Sequence, residues 1–98
     1  MKTMTAEEVH SKLVEGEKLN ILDVREVEEV KAGHIPGIIH IPLGLLPFKL
    51  QELDKKLPYI VVCRSGGRSQ QASMLLQSYG YDVTNMLGGM QEWPGETV

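Results

Sequence analysis

The sequence predicts an α/β fold: a small, open, mostly parallel sheet of four to five strands with helices on both faces. Two observations carry this. Short apolar or β-branched runs at residues 20–24, 38–41, 59–62 and 82–85 alternate with longer stretches whose apolar residues recur at helical spacing. A parallel strand pair needs a crossover long enough to hold a helix, and such helices end up covering both faces of the sheet. The 98 residues are enough for one such domain and too few for two, so residues 1–98 are expected to form a single domain.

Each element has its own local reason. Thr5-Ala6-Glu7-Glu8 is a capping box that starts the first helix. Val9, Leu13 and Val14 then share one helical face, and Gly16 is positioned as a C-cap. Residues 20–24 read as a short buried strand. Residues 26–31 read as a helix ending at Gly33, because the turn residues His34-Ile35-Pro36-Gly37 follow, and its acids Glu26, Glu28 and Glu29 read as a solvated face. Residues 38–41 form the second strand, closed by Pro42. Residues 43–53 carry Leu45, Leu46, Phe48, Leu50 and Leu53 and predict a helix distorted by Pro47. Most of these side chains are expected in the core, with an exposed docking patch as the alternative. Residues 59–62 are the third strand, and residues 69–79 a helix with Ala72, Leu75, Leu76 and Tyr79 on one buried stripe, capped by Gly80. Residues 82–85 make a fourth strand, Gly88-Gly89 a turn and residues 90–93 a last helical turn, with Trp93 against the sheet edge. The five methionines read as core filling or termini.

Bulk composition excludes several classes. A net charge of −3 argues against nucleic acid or an acidic membrane as partner. The polar N-terminus lacks the apolar core of a signal peptide, no apolar run approaches membrane-spanning length, and one cysteine makes no internal disulfide. A cytoplasmic location is the expectation. His10, His34 and His40 have no ligand spacing, so no metal is expected.

Chemistry concentrates at Cys63, the only cysteine, which opens Cys63-Arg64-Ser65-Gly66-Gly67-Arg68-Ser69 directly after the strand at residues 59–62. In open parallel sheets the functional crevice lies at the carboxyl ends of the strands. Arg64 and Arg68 are expected to favour the thiolate, and the N-terminus of the following helix adds unpaired N–H groups and a favourable dipole. Gly66 and Gly67 let successive N–H groups converge on one point, an anion-binding nest. Arg68 at a helix start is disfavoured by the dipole unless an anion lies beside it. The bland alternative for Cys63 is a buried structural thiol. Cysteine-dependent phosphatases place five residues between cysteine and arginine. Here four separate Cys63 from Arg68, a ring better sized for a sulfur atom on Cys63 than for a tetrahedral phosphate. The lack of a second, resolving cysteine also weakens an arsenate reductase reading.

At these residues the chain resembles the single-domain rhodanese family, the thiosulfate-type sulfurtransferases. The matching stretches run along nearly the whole chain: Leu22-Asp23-Val24-Arg25-Glu26, Gly33-His34-Ile35-Pro36-Gly37 through Pro42, the Cys63–Ser69 loop, and Leu87-Gly88-Gly89-Met90 with Trp93. The resemblance implies a two-step transfer in which Cys63 takes sulfane sulfur from thiosulfate or a persulfide donor, then passes it to a thiol or cyanide. It implies Arg64, Ser65, Gly66, Gly67 and Arg68 as the substrate-binding loop, and no metal or organic cofactor. Asp23, Arg25, His34 and Ser69 would be supporting residues, Asp23 and Arg25 pairing with each other or with His34. Alternatives are a sulfur carrier partnered in a protein relay and a non-enzymatic interaction module, although such modules generally lose the cysteine. Gly67, Ile38 and Val30 depart from the family's common residues there (asparagine, alanine and an aromatic).

Overall fold

A computed structural model describes residues 1–98 and contains five strands, all parallel. In chain order the elements are β1 (Lys2–Thr5), α1 (Ala6–Val14), β2 (Ile21–Asp23), α2 (Val27–Ala32), β3 (Ile39–His40), two 3-10 segments (Leu43–Phe48 and Leu50–Glu52), β4 (Pro58–Val62), α3 (Gly67–Ser78), β5 (Asp82–Leu87) and a 3-10 turn (Gly89–Glu92). The sheet order is β1-β5-β4-β2-β3. β4 sits at the centre, with β2 and β3 on one side and β5 and β1 on the other, so the chain crosses over between β3 and β5 there. That makes its carboxyl end the topological switch point, where crevices form in open α/β sheets.

The strands are apolar on both sides because both faces are covered. Leu22, Tyr59, Val61, Cys63 and Val83 point to one face, packing with Leu46, Leu53, Ala72 and Leu76 from the 3-10 region and α3. Ile21, Ile60, Val62 and Met86 point to the other, against Ala6 and Val9 of α1, Ile35 and the partly buried Met90 and Trp93. The two-residue period of a strand thus sorts each run between two cores. Register sets the site. Asp23 pairs with Val62 and Val61 with Asn85, so the carboxyl ends of β2, β4 and β5 finish side by side.

Several elements match expectation. The capping box closes in both directions, Glu8 N–H to Thr5 Oγ1 at 3.1 Å and Thr5 N–H to Glu8 Oε1 at 2.9 Å. Others differ for physical reasons. β1 has no sequence signal: it is a short edge strand of exposed Lys2, Thr3 and Thr5, added parallel to β5 and tied there by the Lys2–Asp82 ion pair. Such charged, short edges resist further pairing. Residues 43–52 are 3-10, not α-helical, because Pro42 and Pro47 lack N–H donors and Gly44 adds backbone freedom. The three-residue period places Leu43 and Leu46 inward but leaves Leu45 and Phe48 outward, so the expected core stretch is split. Val14, Tyr79 and Met74 are exposed rather than core residues, lying at or facing off the covered side of their helices.

The split predicts unequal costs. Leu46, with no exposure, should lose about 2–5 kcal/mol on substitution by alanine, read as a lower urea midpoint at constant slope. Phe48→Ala, at a side chain 76% exposed, should move stability by less than about 0.5 kcal/mol.

Candidate active site

Cys63 leaves the end of β4 and the chain turns at once into α3. The turn works because Gly66, the N-cap residue, adopts φ 111°, a left-handed value costly for any side chain. The curl folds donors onto the sulfur. Gly66 N–H donates to Cys63 Sγ at 3.0 Å, and the backbone N–H groups of Ser65 and Ser69 add to the field that favours negative charge on it. Ser69 Oγ lies 3.3 Å from the sulfur.

Cys63 is only 1% exposed, which agrees with the bland alternative of a structural thiol. Its hydrogen bonds do not. Burial pushes the thiol pKa up, but the Ser69 hydroxyl and the N–H groups of Ser69, Gly66 and Ser65 outweigh burial and hold it below the ordinary thiol value. The lowering therefore comes from oriented dipoles, whereas the sequence expectation assigned a large part to arginine charge. An inert core cysteine would have no such donor set.

A residue absent from the sequence expectation completes this shell. Asn85 is buried on β5, and its Oδ1 lies 2.5 Å from Ser69 Oγ. Asn85 Nδ2 also reaches Gly66 O at 3.4 Å, and Ser69 Oγ lies 3.1 Å from the same carbonyl. Ser69 has one proton for several acceptors. With a thiol, Cys63 S–H donates to Ser69 Oγ and the hydroxyl donates onward. With a thiolate, the hydroxyl can turn its proton to the sulfur. The available sequence signal was a polar residue facing inward within an apolar strand.

The loop is braced from below by the Gly88-Gly89 turn. Met90 N–H donates to Cys63 O at 2.8 Å and Gln91 N–H to Arg64 O at 2.9 Å. A Cβ on Gly89 would lie 2.6 Å from Cys63 O and 2.5 Å from Arg64 O, so only glycine permits this approach. Gly67, by contrast, is an exposed first helical residue with open space about its Cα. Ser65 and Arg64 are exposed, and Arg64 has no ion-pair partner.

Arg68 is placed differently from expectation. Its guanidinium grips Glu29 of α2 through two bonds, Nη1–Oε1 at 2.6 Å and Nη2–Oε2 at 2.9 Å. Glu29 is the anion that a cation at the start of α3 requires. The reading of Glu26, Glu28 and Glu29 as one solvated face is corrected accordingly: Glu26 and Glu28 are exposed, but Glu29 is half-buried and committed to the loop. The Arg68 hydrogen bonds pull the Glu29 carboxyl down to about 2, against the cost of burial, with help from the Glu26 N–H.

Asp23 and Arg25 pair with each other. Arg25 Nη2 meets Asp23 Oδ2 at 2.8 Å, Asp23 is wholly buried and Arg25 6% exposed. Arg25 also donates to Gly33 O at 2.9 Å and to Glu29 O at 3.3 Å, so it ties the C-terminal carbonyls of α2 to the end of β2. His34 joins neither group. Its Nδ1 donates to Val30 O at 2.9 Å and its backbone exchanges bonds with Val98.

Fold and site together define a class: a parallel α/β domain with a cysteine at the switch point, cradled by backbone donors. Comparison with known proteins is specific within that class. The family model of the rhodanese-like domain matches residues 5–96. YtwF of Bacillus subtilis, provisionally named a sulfurtransferase, is 40% identical over 99% of this chain and 94% of its own length. An Allochromatium vinosum protein named sulfurtransferase is 34% identical over 90% of this chain and 83% of its own. YrkF of Bacillus subtilis, provisionally named a sulfur carrier, is 40% identical over 96% of this chain, which spans 51% of it. The crystal structure of a rhodanese-like domain protein from Staphylococcus aureus superposes with a TM-score of 0.91 at 38% identity, covering 98% of this chain and 93% of that one. The chain belongs to the rhodanese-like family. The names of these relatives indicate sulfur transfer in general. No helix is long and apolar enough to cross a membrane.

Two outcomes are expected from this geometry. Alkylation of Cys63 by iodoacetamide should titrate at lower pH than a free thiol, and Ser69→Ala should shift the profile back upward; coincident profiles would refute the role given to the hydroxyl. Because the Glu29 carboxyl titrates lower folded than unfolded, its stabilisation is complete above its ordinary value of 4.5 and is lost as pH falls toward about 2. The urea-midpoint gap between wild type and Glu29→Gln should therefore be steady near neutrality and close across that acid range.

Proposed function

We propose that this protein is a sulfurtransferase that carries sulfane sulfur as a persulfide on Cys63. The observation supporting it most directly is the placement of the Gly66 N–H at 3.0 Å and the Ser69 hydroxyl at 3.3 Å from one sulfur, with the N–H groups of Ser65 and Ser69 beside them lowering its pKa. In the first step the Cys63 thiolate attacks the outer sulfur of the donor. A bond forms between Sγ and that sulfur, the donor's S–S bond breaks, and its electron pair leaves on sulfite or a thiolate. In the second step an acceptor, a thiol or cyanide, attacks the outer sulfur of the Cys63 persulfide. The electron pair of the persulfide bond returns to Sγ and regenerates the thiolate.

The loop donors do the same work in both states. They are fixed before the reaction by Gly66 and by the Gly89 contact, so negative charge on the sulfur is stabilised without reorganisation. Arg64, the exposed and unpaired cation, is assigned to meet the incoming anion. Ser65 and Gly67 supply backbone at the loop rim, and Arg68 holds the loop against α2. A sulfur carrier would use the same persulfide and differ only in its acceptor, a reading supported by the likeness to YrkF.

The test is intact mass after incubation with thiosulfate, then with an organic persulfide. Wild type should gain one sulfur, removable by cyanide as thiocyanate, and Cys63→Ser should gain none. Absence of an adduct from both donors would overturn the proposal.

A further inference from the structure

Around the Cys63 loop lie three arginines, yet the structure leaves only one of them electrically free. Arg25 is buried and spent on Asp23. Arg68 is spent on Glu29. Arg64 is exposed and has no ion-pair partner. Glu29 is not a mobile counter-ion that an arriving anion could push aside cheaply. Its Oε1 also accepts the Glu26 N–H at 3.1 Å, so the first turn of α2 fixes the carboxylate where Arg68 grips it.

Glu29 also shares an open cleft of about 370 Å³ with Arg64. Ala32 and Met90 contribute apolar wall there, and Gln91 a neutral polar one. A donor in this cleft meets the unpaired charge of Arg64, the guanidinium of Arg25 already paired with Asp23, the carboxylate of Glu29 already paired with Arg68, and an apolar surface. A dianion such as thiosulfate finds no second unpaired counter-charge there, because Glu29 has taken that of Arg68 and Asp23 that of Arg25. A donor with a single negative charge at its reacting end, carried on an organic stem, matches both the charge and the wall.

Resting on sulfur transfer through Cys63, we propose that Glu29 is a specificity-determining residue: by cancelling Arg68 it biases the site against small dianionic donors and toward organic persulfides, R–S–S⁻. The transfer balances as before: Sγ bonds to the outer sulfur, the S–S bond between the donor's inner and outer sulfurs breaks, and its electron pair leaves on R–S⁻.

The test is donor kinetics on three variants, with cyanide as acceptor and either thiosulfate or glutathione persulfide as donor. Glu29→Gln should lower KM for thiosulfate by roughly three- to tenfold with kcat nearly unchanged, an effect that fades with added salt. Arg68→Gln should raise it. The double variant, whose rim charge equals that of wild type, should return KM close to the wild-type value. KM for glutathione persulfide should respond less in each. A persulfide presented on a protein cysteine, compared with glutathione persulfide, separates the two sources of this donor chemistry. Unchanged or raised thiosulfate KM in Glu29→Gln, or loss of kcat with every donor, would overturn the inference and leave Glu29 as a structural brace for Arg68. If the variants fail to fold, wild type decides: its thiosulfate KM must exceed that for glutathione persulfide. Failure of wild type to take sulfur from any donor would instead defeat the sulfur-transfer reading, and this inference with it.

Discussion

The buried ion pair of Asp23 and Arg25 is the constraint from which the arrangement of the site follows. Burying two charges is costly, and their mutual attraction offsets that only when the remaining donors are also satisfied. Here they are. Arg25 bonds both carboxylate oxygens of Asp23 and the carbonyls of Gly33 and Glu29, while Asp23 Oδ1 also accepts the Arg25 N–H. His40 donates to Arg25 O at 2.7 Å and brings in β3. One guanidinium therefore fixes α2 relative to the end of β2. That placement puts Glu29 within reach of Arg68, and so fixes one side of the loop that carries Cys63. The geometry is directional as well as attractive, which is what a plain apolar contact at this position would not supply.

The other side of the loop is fixed by backbone alone. Gly66 supplies the left-handed turn, and Gly89 lets the chain after β5 come within contact of the Cys63 and Arg64 carbonyls. Between these supports the sulfur is enclosed, yet ringed by donors. Burial by itself would favour the neutral thiol, and the Ser69 hydroxyl together with the loop N–H groups outweighs it and lowers the pKa. A thiolate or persulfide is favoured here by dipoles that are already in place. The arginines contribute less of this than their number suggests, since two of the three are compensated by carboxylates.

Much of this was legible along the chain. Strand runs, helix faces and the Thr5 capping box are local matters, set by side-chain period and by hydrogen bonds within a few residues. Cys63 at a strand end before a glycine-rich helix start is likewise local, and so is the tight turn that its glycines allow. β1 was not legible, because an edge strand of exposed polar residues needs no apolar pattern. It forms because β5 offers it unpaired backbone. The region of Pro47 was half legible: the leucines announced a helical segment, but which of them turn inward depended on a 3-10 period imposed by missing N–H donors.

The sequence by itself determined the fold class, the family and the cysteine proposed as nucleophile, since each is written in contiguous residues whose chemistry is local. Tertiary structure decided the partners. That Glu29 rather than a ligand neutralises Arg68, that Asn85 holds the Ser69 hydroxyl, and that Gly89 braces the loop are contacts between residues 39, 16 and 26 apart (68 − 29, 85 − 69 and 89 − 63). Charge and hydrogen-bond pairing depend on distance in space, and only the register of β2, β4 and β5 brings those distances down to bonding range.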